Sequence, residues 1–213
     1  MRETKALATG PCLVVLLAAI VALAPPRSAA LAPVGPLPGI RPTHFPTEDL
    51  EIRIDGRLDE AVWATLPAHD EYRIIDPDTL AAPEYRTELR FAYTDRGLYV
   101  GVKAFQDPAT LVARISQRDQ RVNRDEVSIT IDPTGQGLYG YWFTVALGGT
   151  LMDGTVVPER NFSNQWDGPW FGAPAVTDYG WSAEFFLPWA MMAMPEGGAD
   201  RSIAFYTSRR VAH

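Results

Sequence analysis

The sequence predicts an all-β fold, an antiparallel β-sandwich carrying one or two short helices. Three observations carry that expectation. Apolar and polar residues alternate with period two in segment after segment, as in Leu89, Phe91, Tyr93 and again in Val127, Ile129, Ile131. Turn signals such as Asp95-Arg96-Gly97, Gly135-Gln136-Gly137 and Gly148-Gly149 separate those segments. Strand patterns follow strand patterns instead of alternating with long helical ones, which argues against a parallel α/β sheet.

The chain opens on a segment that precedes the folded part. Arg2 and Lys5 lead into an apolar run from Cys12 to Ala24, shorter than the roughly 20 residues of a membrane span. Pro25, Pro26 and small residues follow, and cleavage after Ala30 or Ala32 fits an export signal covering residues 1–32. Localisation in the periplasm, the outer membrane or the extracellular space is the corresponding expectation. The only cysteine, Cys12, lies inside this leader, so the remaining chain has neither a thiol nucleophile nor a cysteine metal site. The chain has 213 residues and a formal net charge of −7, and the leader carries Arg2, Lys5 and Arg27 against Glu3. Removing that +2 leaves −9, which disfavours nucleic acid as a partner.

Residues 33–49 hold Pro33, Pro36, Pro38, Pro42 and Pro46 with Gly35 and Gly39 between them, a composition that predicts a semi-extended spacer. The domain is expected over 50–213. Ile52–Ile54 reads as a short strand, Asp55-Gly56 as a turn, and Leu58–Leu66 as one or two helical turns that tuck Trp63 under the sheet. Residues 69–86 read as loop, with an edge strand around Tyr72–Ile75. Thr87–Thr94 and Leu98–Val102 form a hairpin with one wet face, Gly97 taking the left-handed turn position. A short helix is expected in Pro108–Gln117. Glu126–Asp132 and Tyr139–Leu147 are strands, the second with Tyr141, Phe143, Val145 and Leu147 buried. A second hairpin pairs Phe171–Val176 with Trp181–Leu187 across Asp178-Tyr179-Gly180. Pro188 starts a brief helix over Trp189–Met194, and Ser202–Ser208 is the last strand.

Between these elements, Asn164-Gln165-Trp166-Asp167-Gly168-Pro169-Trp170 fits neither periodicity. An indole face stacks on the C–H face of a sugar ring, while amides, carboxylates and guanidinium groups bond its hydroxyls. The candidate carbohydrate-binding set is therefore Trp166, Trp170, Asn164, Gln165, Asp167 and Arg121. The competing reading makes Trp166 and Trp170, four apart, the cover of a sheet end. Trp142 and Trp181 read as structural. His44, His69 and His213 lack metal-ligand spacing, and no nucleophile elbow, phosphate loop or dinucleotide glycine pattern is present. Asp125, Glu126, Asp132, Asp153, Glu159, Asp167 and Glu184 offer carboxylates for glycoside chemistry, but sequence cannot pair them. Asp119, Asp125, Asp132 and Asp153 could supply oxygens to a structural calcium, the one cofactor considered.

The chain resembles the family 9 carbohydrate-binding modules. Four blocks carry the likeness: Ile54-Asp55-Gly56-Arg57-Leu58-Asp59-Glu60-Ala61-Val62-Trp63, the Leu89–Val100 hairpin, Asp125–Asp132, and Gly180–Trp189. The resemblance implies an immunoglobulin- or jelly-roll-like sandwich over about residues 50–208. It also implies a sugar clamp of two tryptophans, a glutamate and an arginine. The first tryptophan's place holds Val122, the glutamate's Ser128 and the arginine's Thr144, and the second tryptophan would fall beyond His213. The Trp166-Asp167-x-x-Trp170 spacing, the Gly180-Trp181 start and Arg209-Arg210 are similar to a branch at the N-terminus of long exported bacterial proteins. In that branch a barrel-like outer-membrane region follows the sandwich, which implies a further C-terminal strand and a partner domain.

The expected function is a secreted, non-catalytic module that binds polysaccharide or oligosaccharide for a larger polysaccharide-degrading protein, acting on a glycan such as xylan, or for a cell-envelope protein. The alternative is a docking domain of a barrel protein that touches no sugar.

Overall fold

The computed structural model describes residues 39–196 and 202–212. Among them, ten strands form two five-stranded sheets. In chain order the strands are β1 (Thr43–His44), β2 (Thr87–Thr94), β3 (Gly97–Phe105), β4 (Glu126–Asp132), β5 (Gly140–Ala146), β6 (Leu151–Val157), β7 (Asn161–Ser163), β8 (Phe171–Thr177), β9 (Gly180–Pro188) and β10 (Ala204–Arg210). The first sheet runs β1-β2-β3-β9-β8 and the second β10-β4-β5-β6-β7. All neighbours are antiparallel except β1 and β2.

The period-two pattern decides which side chains meet. Leu89, Phe91, Val100, Val102 and Phe185 of the first sheet pack against Val127, Ile129, Ile131, Phe143 and Val145 of the second in one buried cluster. This is the expected sandwich. The strands read as β2, β4, β5, β8 and β9 appear within one residue of their expected ends, β3 runs three residues past its expected end to Phe105, and β10 lies two residues later than expected.

Several expectations are corrected. The hairpin of β2 and β3 has no wet face, because the segment from Phe45 to Leu66 lies across the outside of the first sheet. Leu50, Trp63 and Leu66 form a second buried cluster there with Ala92, Tyr99 and Phe186. Gly97 takes no left-handed turn position; it begins β3, where any side chain would collide with Leu187 and Phe186. Ile52–Ile54 and Tyr72–Ile75 form no strand, since the first is consumed in cluster contacts and the second folds back on itself through Ile74, Leu80 and Ala81. Helix is scarcer than expected. The α-helix α1 covers Ala61–Thr65, and Pro108–Thr110 and Trp189–Met191 are single 3-10 turns. The spacer reading fails at its second half: Thr43–His44 pairs with Ala92–Tyr93, and Phe45 joins the outer cluster. The sequence reading missed β6 and β7, whose Asp153, Gly154 and Asn161 break the apolar alternation. The leader, the start of the spacer and His213 lie outside the described residues.

One buried carboxylate anchors the outer segment. Glu184 on β9 is fully buried and accepts from the backbone N–H groups of Asp55 and Gly56 (3.0 and 2.9 Å) and from the indole N–H of Trp63 (3.0 Å). The same indole N–H also reaches Glu60 at 3.1 Å. Gly56 has φ +87 and sits against Pro174, so the turn needs both the left-handed conformation and the missing side chain. Burial, with the Glu60 charge adding to it, overrides these donors and pushes the Glu184 carboxyl up to about 7.

Candidate functional site: the outer face of the second sheet

The expected sugar loop is held from inside. Trp170 is buried, stacked on Phe185 at 5.9 Å and edge-on to Phe143 at 5.3 Å, so it offers no face to a ligand. This corrects its assignment as a sugar platform. Trp166 is half-buried, with Tyr141 at 4.9 Å and Phe143 at 6.0 Å on its core side. Gly168 closes against the same ring so tightly that any side chain there would overlap it. Asp167 is exposed but engaged: Arg118 bridges it (2.7 Å) and the fully buried Asp153 (2.5 Å). Asp153 also accepts from Gly168 N–H at 2.8 Å, which clamps the loop. Burial raises the Asp153 carboxyl above its ordinary range against the pull of Gly168 and Arg118, with Asp167 and Asp119 pushing the same way as burial.

Arg121, Asn164 and Gln165 belong elsewhere. Arg121 lies over the Trp142 ring, 5.7 Å from its centre. Trp142 points away from the core on β5, and its indole N–H is shared between the carbonyls of Thr155 and Ser163 (both 3.2 Å), the residue before Asn164. Asn164 and Gln165 are exposed. The structure therefore brings Arg121 and the start of the loop to the outer face of the second sheet and sends Trp166 and Trp170 to the inner one.

Strand register arranges that outer face in rows. Trp142 is opposite Thr130, and Thr130 is opposite Tyr206, giving an aromatic–threonine–aromatic row across β5, β4 and β10. One step along, Thr144, Ser128 and Ser208 form a row of hydroxyls, with Thr144 and Ser128 hydrogen-bonded at 2.7 Å. Neighbouring strands are about 4.8 Å apart, so the outer members of each row stand about 10 Å apart. Tyr206 is 52% exposed and Phe162, beside Trp142, 49%. Ser128 and Thr144, which stand where the family resemblance has a glutamate and an arginine, are thus on this face, and they make it neutral in the middle. The sequence reading assigned Thr130, Tyr206 and Ser208 to no site. The available signal was Trp142, a large aromatic at an outward position of β5, although that whole strand, Trp142 included, is buried.

The buried carboxylates are individually occupied. Asp125 accepts from the N–H groups of Val112 and Ala212, both at 2.8 Å. Burial opposes the charge of Asp132, but the Thr134 hydroxyl and the N–H groups of Gly137, Thr134 and Gly135 outweigh it and hold the carboxyl below its ordinary range. Glu126 lies between Arg124 and Arg210. Asp119 accepts from Asp153 N–H. Among the described residues, no three His, Cys, Asp or Glu side chains gather to hold a metal ion.

A ten-stranded, mainly antiparallel sandwich with a hydroxyl- and aromatic-bearing outer face is the class these observations define. No protein-family model and no curated protein matches the chain. Solved structures do. The chain is similar to a family 9 carbohydrate-binding module from Caldicellulosiruptor kristjanssonii in complex with cellotriose, at TM-score 0.55 and 12% identity over 81% of this chain and 77% of that one. A module of the same family and organism, in complex with glucose, gives TM-score 0.50 and 12% identity over 78% and 76%. A candidate carbohydrate-binding protein from Bacteroides uniformis gives 0.55 and 14% over 80% and 87%. The fold is the one the family resemblance implied.

Proposed function

We propose that the domain is a non-catalytic carbohydrate-binding module whose ligand lies across β5, β4 and β10 on the outer face of the second sheet. The observation that carries this reading is the pair of adjacent rows. A pyranose presents an apolar C–H face and a rim of hydroxyls. Tyr206, 52% exposed, complements the first and the partly exposed Ser128 and Ser208 the second, while Trp142 and Thr144, only 5% and 2% exposed, form the floor beneath them. The likeness to modules solved with cellotriose and glucose supports the same class of ligand. A shallow, open face of this kind binds weakly, with Kd on the order of 0.1 to 1 mM. Export, and service to a larger polysaccharide-degrading or cell-envelope protein, belong to the same proposal and rest on the leader over residues 1–32.

Titration with cello- and xylo-oligosaccharides, followed by tryptophan fluorescence, tests it. Tyr206→Ala should weaken binding about tenfold or more with stability nearly kept. Trp166→Ala should lower stability and leave affinity unchanged. A folded chain that gives no response at millimolar sugar overturns the proposal. The docking alternative is favoured by one observation: the outer edge of β10, seven residues long, has no partner strand among the described residues. If that edge is covered by a partner, hydrogen exchange along β10 slows when the partner is added and sugar has no effect.

A further inference from the structure

The charges around the outer face point beyond a neutral sugar. Its middle is uncharged, with Ser128 and Thr144 satisfying each other. At one border stands Arg121, exposed, laid over Trp142, and in no ion pair among the described residues. At the other border the nearly buried Glu126 is shared by two guanidinium groups, the buried Arg124 at 3.3 Å and the half-exposed Arg210 at 3.6 Å. That trio carries a net +1. Asp132, the other carboxylate in the outward set of β4, is only 8% exposed and is taken by the turn that follows, through Thr134 and Gly137. The charge that this face shows to solvent is therefore guanidinium, in a chain whose formal net charge is −7.

From this juxtaposition we infer that the face selects saccharides bearing a carboxylate, a uronate residue within or appended to an otherwise neutral chain, with Arg121 as the group that meets it. The inference rests on the carbohydrate-binding reading above and names its ligand class. A guanidinium presents a planar fork that matches a carboxylate in two parallel hydrogen bonds. Stacking on Trp142, which is itself pinned by two carbonyls, restricts Arg121 before any ligand arrives, so less freedom is lost on binding. The overall negative charge of the domain decides the density of carboxylate that fits. A dense polyanion is repelled by the rest of the surface, whereas a single uronate reaches Arg121 at little cost.

The test compares, on the full chain at low ionic strength, a xylo-oligosaccharide carrying one glucuronate with the same compound after reduction of its carboxyl group. Calorimetric titration should give about five- to tenfold tighter binding of the acidic compound, the size of one partly exposed charge-assisted pair. Added salt should shrink that ratio. Arg121→Gln should bring the ratio to about one, and Arg121→Lys should keep part of it. Equal binding of the two compounds by the unaltered chain overturns this inference and leaves the carbohydrate reading standing, as does a preference that survives Arg121→Gln. If neither compound binds a chain that circular dichroism shows to be folded, both fall together.

Discussion

Glu184→Gln isolates the buried carboxylate that fastens the outer segment to the first sheet. Because the folded carboxyl is pushed up to about 7 from 4.5, the folded chain holds a proton that the unfolded chain has released between those values. The stabilising contribution of that proton is complete below pH 4.5 and is lost as pH rises through about 7. A shift of this size corresponds to roughly 3 kcal/mol at most. Asp153, also raised, adds a slope of the same sign, and Asp132, lowered, one of opposite sign at lower pH, so the difference between parent and variant is the useful quantity. Glutamine keeps an acceptor for Asp55 and Gly56 but does not titrate. Urea unfolding at a series of pH values from 4.5 to 7.5 should show the parent losing about 3 kcal/mol relative to Glu184→Gln across that range. A flat difference, or one that favours the parent as pH rises, would refute the reasoning. It would mean that the three N–H donors outweigh burial and keep Glu184 charged.

Two further substitutions probe what holds the loops and the outer segment. Arg118→Ala leaves the buried Asp153 with Gly168 N–H alone and releases Asp167, which should cost about 2–4 kcal/mol and lower Tm by roughly 5–15 °C in a scanning measurement. Gly101→Ala places a methyl 2.7 Å from Leu58 and 2.8 Å from Trp63, so the Phe45–Leu66 segment should lift. Limited proteolysis should then cut within that segment, where the parent chain resists.

Alternation was enough to place β2, β3, β4, β5 and β9, because each buries a regular row of apolar side chains, whereas β8, which buries none, was placed by the Asp178-Tyr179-Gly180 turn that joins it to β9. It failed where another part of the chain supplies the partner. Tyr99 and Gly101 are outward positions of β3, and they are dry only because Trp63, some forty positions earlier, covers them; no local pattern records that contact. The β6 strand was hidden for a related reason. Asp153 is an unfavourable strand residue until Arg118 and the Gly168 N–H, from two other loops, donate to its carboxylate. The candidate site was half legible. Arg121 lies against Trp142 on the outer face and Asn164 and Gln165 are exposed, whereas Trp166 and Trp170 pack on the inner side. The aromatic spacing of Trp166 and Trp170 suits a stacking platform and a sheet-end plug equally well, and only tertiary packing decides between them. The two rows could not be seen at all before register was known, since Thr130, Trp142 and Tyr206 come from three strands spread between positions 130 and 206.

The most direct measurement of the central claim is a residue-resolved map of sugar binding. In a 15N-labelled chain titrated with cellotriose, the Trp142 indole N–H and the amides of Ser128, Thr130, Thr144, Tyr206 and Ser208 should shift. Shifts confined to Gln165–Trp170, or none at millimolar sugar, would contradict it.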